Sequence, residues 1–148
     1  MCGLALLGFS ACAQETKPAL EAQGKGVQIY TCNAEKGWVF QAPEATLYIG
    51  SKTTVGSHGA GPRWTWIDGS AITGRVATQL PAANAKSDIP WLILHATDVE
   101  GTSGTLSGVK TVRRSETHGG VAPVSGCDAA HAGTVTQVPY TATYSFYK

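Results

Sequence analysis

The sequence has few charged residues and no run of charge of either sign. Asp, Glu, Lys and Arg together make up 14% of its 148 residues, and the net charge at pH 7 is +1. About a quarter is usual for soluble domains. A chain without a basic patch lacks the surface that attracts phosphate backbones. We therefore expect no nucleic-acid partner.

Motifs for nucleotide chemistry and for metal binding are also missing. Neither a P-loop nor a GxGxxG fingerprint follows any strand-like segment. The four histidines form no HxH, HxxxH or HExxH pattern, and only the spacing Asp128-x-x-His131 could place two ligands on one side of a turn. We predict no cofactor and no metal; a metal site that uses His58 and His131 is the weaker alternative.

The sequence contains no hydrophobic run long enough to span a bilayer. The longest one near the N-terminus is Gly3–Ala11, which has the length of the apolar part of an export signal. No basic residue precedes it, so the signal is expected to be truncated. We predict that residues 1–13 are an export signal and that the protein is periplasmic, an outer-membrane lipoprotein or secreted.

Two kinds of processing fit the end of this segment. The order Ala11-Cys12-Ala13 suits a leader peptidase that would release a chain beginning at Gln14. The preceding residues also approximate a lipobox, so that acyl chains on Cys12 would anchor the protein to a membrane. Any membrane anchoring is expected through Cys12 alone.

Two cysteines remain after the predicted signal, Cys32 and Cys127. In an oxidising compartment an isolated pair favours a disulfide. The alternative is a catalytic or metal-binding thiol, for which no CxxC motif is present. A bridge that closes so long a loop is worth roughly 4–5 kcal/mol if it forms without strain.

Short strands and turns dominate the rest of the chain. Residues 14–26 are polar with Pro and Gly, which predicts a flexible lead-in, and residues 27–148 predict one β-domain. About eight short strands separated by Gly, Pro and Asp turns predict an all-β fold. The expected architecture is a single-domain antiparallel β-sandwich or small β-barrel with one intrachain disulfide.

Three segments show the alternation of strands most clearly. Val27 and Ile29 alternate with Gln28 and Tyr30, and Arg113 and Arg114 fall on opposite faces of a later strand. In the last strand, one face carries Tyr140, Ala142, Tyr144 and Phe146.

The sharpest local signal is a hairpin around Asp68-Gly69. We expect a two-residue turn there with positive φ at both positions, because Asp-Gly suits that conformation. Trp64 and Trp66 share one face of its first strand.

The aromatic residues beside this hairpin favour a binding site. Flat rings stack on sugars or aromatic ligands, and an arginine can pair with an anionic group. We expect Trp38 and Trp91 to be in the core. The glycine-rich loop Gly56–Pro62 is the segment best able to approach a ligand closely. The candidate binding residues are His58, Arg63, Trp64, Trp66 and Asp68.

The motifs resemble an exported family catalogued as domain of unknown function 3455. The resemblance runs from Gly26 to Tyr147, and the segments that carry it include GVQIYTC, GWVFQAPEATL, VGSHGAGPRWTWIDGSAITGRV, IPWLILHA, GVKTVRRSETHGGVAP and PYTATYSFY. The resemblance implies that the protein is exported. The family's pattern includes a pair of cysteines, matched by Cys32 and Cys127, and a His-x-x-Gly-Pro-x-Trp stretch, matched by His58–Trp64. His95 and His118 depart from the family's pattern. The resemblance implies no established activity.

Some fungal relatives carry a malate dehydrogenase label. This sequence does not support that label, because it lacks the dinucleotide fingerprint and the length for two α/β domains.

Function is therefore expected at the level of a class. The first hypothesis is a non-enzymatic, monomeric, exported module that binds a carbohydrate or small molecule or associates with the cell envelope. The alternative is an extracytoplasmic hydrolase or metal-dependent enzyme centred on His58 and the Gly56–Trp66 loop. A hydrolase would need Ser57 or Ser70, His58 and Asp68 to meet as a triad.

Overall fold

The computed structural model describes residues 17–100 and 103–148, without the side chains of residues 99 and 100. The predicted export signal at residues 1–13, with its candidate lipidation site Cys12, lies outside the described residues. In the part of the chain that is described, no helix is long and apolar enough to cross a membrane.

The described residues form a closed antiparallel β-barrel. Its strands are β1 (Leu20–Asn33), β2 (Gly37–Ile49), β3 (Thr53–Gly59), β4 (Arg63–Trp66), β5 (Ala71–Leu80), β6 (Trp91–Glu100), β7 (Thr111–Gly119) and β8 (Val135–Tyr147). Each strand pairs with the next, and β8 pairs with β1 to close the sheet. The predicted all-β class is confirmed, and of its two alternatives the barrel is correct.

The first strand corrects the predicted flexible lead-in at residues 20–26; of the predicted segment, residues 14–16 lie outside the described residues. β1 begins at Leu20 and pairs with both β2 and β8 from Gln23 onward. The glycines of this segment permit close packing rather than flexibility. A Cβ atom on Gly26 would collide with the backbone of Glu44 and Ala45 on the neighbouring strand.

Aromatic and aliphatic side chains fill much of the barrel interior. An eight-stranded barrel is just wide enough for inward side chains to fill it. The most deeply buried members of this cluster are Leu47, Trp64, Ile72, Val112, Tyr144 and Phe146. Leu106 and Val109, from the connection between β6 and β7, belong to the same cluster and close that end of the barrel.

The tryptophans are distributed in the opposite way to the prediction. Trp64 and Trp66 share a face as expected, but that face points into the barrel, where both side chains are buried. Trp38 and Trp91, which were predicted as core, are half-buried. Trp64 and Trp66 lie on the inward face of β4, and a closed barrel fills its interior with inward side chains.

The hairpin between β4 and β5 lies where the sequence predicts it, with a different turn. The amide of Gly69 donates to the carbonyl of Trp66 (2.9 Å), and the amide of Trp66 donates to the carbonyl of Ser70 (2.8 Å). Within this turn, Gly69 has a positive φ of 87° and Asp68 does not have a positive φ. This is a three-residue loop with a glycine bulge, so the expectation of positive φ at Asp68 was wrong.

The predicted disulfide between Cys32 and Cys127 is present. The two Cα atoms are 5.4 Å apart, and 95 residues separate the cysteines in sequence. The bridge joins the end of β1 to the long connection between β7 and β8. Gly133 and Thr134 of that connection also form backbone hydrogen bonds with Cys32, so the connection is held against the barrel at two places.

Removing this bridge should destabilise the barrel strongly. For the Cys32→Ala/Cys127→Ala variant we expect the free energy of unfolding to fall by about 4 kcal/mol, because the bridge restricts the unfolded chain over a long loop. Denaturant titration of both proteins measures the difference. A reductant should lower the stability of the wild type and leave the variant unchanged. A difference under about 1 kcal/mol would contradict the assigned role.

Candidate functional site

A cavity of about 220 Å³ lies inside the barrel, and all eight strands contribute to its wall. Most of the wall is apolar. The apolar side chains are Phe40, Pro43, Pro62, Val76, Leu92 and Leu94. The lining residues with polar groups are Gln28, Gln41, His58, Trp64, Arg114 and Tyr144. The cavity thus combines a mainly apolar wall with a few polar groups, as small-molecule sites do.

The cavity opens through a gap in the side of the barrel. β3 and β4 are short, so β2 pairs with β3 only from Ala45 onward and β5 pairs with β4 only up to Thr73. The first half of β2 and the second half of β5 therefore face each other without a strand between them. Phe40 and Val76, about half exposed, flank this gap, which we call the side opening.

His58 is buried in the cavity wall and is neutral. Its Nδ1 donates to the carbonyl of Arg63 (2.8 Å), and its ring stacks on Trp64 with 4.5 Å between the centroids. Burial lowers the pKa of His58 from 6.5 to about 4, and the hydrogen bond to Arg63 offsets this only in part. With Nδ1 carrying the proton, Nε2 has a free lone pair.

Arg114 places a positive charge inside the barrel. Its side chain is 9% exposed, and its Nε and Nη2 donate to the carbonyl of Pro90 (3.0 and 2.8 Å). Among residues 17–100 and 103–148, no carboxylate forms an ion pair with it, and no Asp or Glu is buried. Burying an unpaired charge is costly, so a group that brings negative charge would relieve that cost.

The neighbouring tyrosines supply no negative charge to balance Arg114. The hydroxyls of Tyr140 and Tyr144 are 2.9 Å apart inside the barrel. Burial raises the pKa of both phenols, most strongly for Tyr144, although the charge of Arg114 lowers it. Both side chains are therefore neutral near pH 7, and the barrel interior keeps a net positive charge.

Two polar atoms in the cavity wall have no hydrogen-bond partner. They are Oε1 of Gln28 and Nε1 of Trp64, in side chains that are 4% and 1% exposed. More than 90% of buried polar groups in proteins have a partner, so each exception needs an explanation. One is an acceptor and the other a donor, and both belong to residues that line one cavity.

Comparison with known proteins identifies the family. The family described as "Protein of unknown function (DUF3455)" matches residues 12–148. The chain belongs to this family. No curated protein matches it, and no solved structure matches it. The DUF3455 barrel must therefore be interpreted from its own geometry.

The structure separates the five candidate binding residues of the DUF3455 chain. His58 and Trp64 line the cavity together. Trp66 lies deeper, where its ring packs edge-on against Phe146 at 6.1 Å. Arg63 alternates with the inward Trp64 along β4 and contributes its carbonyl to His58. Of the predicted set, two residues form the candidate site.

Asp68, the fifth candidate, has a structural role. Its carboxylate accepts hydrogen bonds from the amide and hydroxyl of Ser70 (3.0 and 2.6 Å) and from the amide and hydroxyl of Thr105 (2.7 and 2.8 Å). These bonds, led by that from the Ser70 hydroxyl, hold the pKa of Asp68 well below its usual range. His58 instead bonds the carbonyl of Arg63, so the triad considered from the sequence does not assemble.

The two histidines of the weaker metal hypothesis lie in different places. His58 is inside the barrel, whereas His131 is exposed on the connection between β7 and β8. His131 Nδ1 is 2.6 Å from Oδ1 of Asp128, so the predicted pairing across this turn is present. Within the described ranges, no group of three or more His, Cys, Asp or Glu side chains is placed to hold an ion.

Of the residues that line the cavity, only His58 and Trp64 were among the predicted site residues; the buried polar residues Gln28, Arg114 and Tyr144 were missed. A signal for Arg114 exists in the sequence. It lies two residues after Val112, which is fully buried, so an alternating strand places both on one face. A charged residue on the apolar face of a strand is informative, because Arg is almost never fully buried unless it is paired.

The buried His58 makes stability depend on pH. The unfolded chain takes up a proton on His58 near pH 6.5, whereas the folded chain does so only near pH 4. The free energy of unfolding should thus decrease by about 3 kcal/mol from this residue as the pH falls from 7 to 4. NMR titration of the His58 ring should give a midpoint near pH 4; a midpoint above pH 6 would contradict its burial.

The bonds of Asp68 should protect the amides of the loop that they hold. In Asp68→Ala, we expect hydrogen exchange at the amides of Thr105 and Leu106 to accelerate at least about tenfold, because the loop loses its bonds to a charged acceptor. Asp98→Ala removes an exposed carboxylate and is the control. Equal exchange in both variants would show that Asp68 does not hold the loop.

Proposed function

We propose that this DUF3455 protein is an exported binding module that holds a small organic molecule inside its barrel. The observation that carries the proposal is the pair of buried, unpartnered polar atoms, Gln28 Oε1 and Trp64 Nε1, in the wall of one cavity. A ligand with one donor and one acceptor would satisfy both. A folding core gains nothing from leaving them unpaired, since each lost hydrogen bond costs about 1–3 kcal/mol.

The dimensions of the cavity support a small ligand. Its volume of about 220 Å³ is below the range of roughly 300–1,000 Å³ that holds drug-sized molecules. An eight-stranded barrel can hold one small ligand in its interior. The mainly apolar wall favours a small organic molecule over a carbohydrate, whose many hydroxyls would each need a hydrogen-bond partner.

Export is part of the proposal, and the disulfide supports it. A bridge between Cys32 and Cys127 persists in oxidising compartments and is rare in the cytosol. Both processing alternatives, cleavage before Gln14 and lipidation of Cys12, would deliver the barrel outside the cytoplasm. The protein would act there as a monomer, because the cavity lies within one barrel.

The geometry favours binding over the alternative of hydrolysis. A hydrolase of the proposed kind requires a nucleophile, a base and an orienting group within hydrogen-bond reach. The hydroxyl of Ser70 donates to Asp68, whereas Nδ1 of His58 donates its proton to the carbonyl of Arg63. The groups that could act together are therefore those of the binding cavity.

Blocking the side opening tests the proposal. A panel of small aromatic and aliphatic acids, amides, alcohols and amines is added to the protein. Binding is followed through the NMR signal of the Trp64 indole N–H and through thermal stability. A ligand at a hundred times its Kd should stabilise the fold by about 2.7 kcal/mol. Val76→Trp, which places a large ring at the opening, should abolish both effects.

Ala77→Trp is the matched control for this experiment. Ala77 is exposed on the same strand and is not part of the cavity wall. It adds the same ring and should leave binding unchanged. The proposal is wrong if no member of the panel moves the Trp64 signal, or if binding survives in Val76→Trp.

A further inference from the structure

We infer that the ligand of the barrel is a small monocarboxylic acid with an apolar body, and that Arg114 binds its carboxylate. The inference rests on the proposed function and adds the chemical class of the ligand. It comes from the charge and the hydrogen-bonding groups of the cavity wall, together with the apolar surface that surrounds them.

The positive charge of Arg114 has no negative partner in the described residues. The guanidinium has five N–H groups, of which two donate to the carbonyl of Pro90. This bond fixes one edge of the group while the side chain remains in the cavity wall. In the described residues no protein carboxylate pairs with it. An anion from outside the chain is the partner that this site lacks.

The charge of the cavity wall favours a carboxylate as the anion. A single arginine balances one negative charge, which a carboxylate carries. A phosphate carries more negative charge near neutral pH and is commonly held by several donors and cations. The other buried ionisable groups of the cavity wall, His58 and Tyr144, are neutral near pH 7. One cation in an otherwise uncharged wall matches a monovalent acid.

Trp64 offers the carboxylate a second hydrogen-bond donor besides Arg114. Trp64 lines the same cavity, and its buried indole N–H has no acceptor. A carboxylate has two oxygens and about four lone-pair positions, so it can accept from the indole as well as from the guanidinium. A ligand hydroxyl could donate to Gln28 Oε1, which is the unpartnered acceptor.

The apolar part of the cavity wall indicates that the rest of the ligand is apolar. The remaining wall is formed by aliphatic and aromatic side chains, among them Phe40, Leu92 and Leu94. A free inorganic anion would leave this apolar surface without contact, whereas an aromatic or short aliphatic body would cover it. Benzoate is a probe with these properties and a size suited to a small cavity.

The test uses probes of nearly equal shape and different charge. Benzoate, benzamide and benzylamine are titrated into the full chain at constant ionic strength, with sodium chloride as a separate titration. The signal is the Trp64 indole N–H, assigned with Trp64→Phe. We expect benzoate to bind at least about tenfold more tightly than benzamide, because bonds to charged groups are about twice as strong as neutral ones. Benzylamine should not bind.

Variants at two adjacent arginines separate local from general charge effects. Arg114→Gln should abolish the preference for benzoate over benzamide, whereas Arg114→Lys should keep part of it. Arg113→Gln removes the same charge from an exposed position on the opposite face of β7 and should change nothing. If Arg114→Gln does not fold, the wild-type preference and Arg114→Lys still decide the matter.

Each outcome has one meaning. A preference for benzoate that depends on Arg114 supports the inference. Equal binding of benzoate and benzamide overturns it and leaves the proposed function intact, since a neutral ligand then occupies the cavity. Saturation by chloride that excludes benzoate also overturns it, because an inorganic anion is then the partner of Arg114. Failure of all these probes to move the Trp64 signal contradicts the inference, whereas the proposed function is contradicted only if the wider panel of acids, amides, alcohols and amines fails as well.

Discussion

The pairing of β8 with β1 is the constraint on which the rest of this structure depends. It converts eight strands into a closed barrel, so every inward side chain is removed from bulk water whether it is apolar or not. In an open sheet, Gln28, His58 and Arg114 could have remained hydrated on a solvent face. Closure gives each of them a desolvation cost that only packing, hydrogen bonds or a ligand can offset.

Two parts of the barrel interior meet this constraint in different ways. Near the connection between β6 and β7, Trp66, Leu106 and Phe146 belong to the buried hydrophobic cluster, and no buried polar side-chain atom of the described residues there lacks a partner. Beside the side opening, the wall keeps a guanidinium, a neutral imidazole and two unpartnered polar atoms. The apolar packing stabilises the barrel, whereas the buried polar groups that destabilise it lie beside the side opening, where solvent has access. Such a division is common where a site must hold destabilising groups.

Local physics made much of the fold predictable from the sequence. Alternation and turn residues indicated the strands, and the compartment and cysteine count indicated the bridge between Cys32 and Cys127. Closure could not be predicted, because the pairing of β1 with β8 joins the two ends of the chain. The inward face of β1 was equally ambiguous, since Val27 and Ile29 are no less suited to a core than Gln28 and Tyr30. That ambiguity hid Gln28. His58 and Trp64 were found because they lie in and beside the glycine-rich segment Gly56–Pro62, whose first residues belong to β3.

The central claim is that the barrel interior holds an organic anion beside Arg114. A crystal structure of the wild-type chain grown with saturating benzoate tests it most directly. The account predicts benzoate in the cavity with a carboxylate oxygen within hydrogen-bond distance of the Arg114 guanidinium. A structure in which a protein carboxylate reaches Arg114, or in which side chains fill the cavity and benzoate is absent, would contradict it.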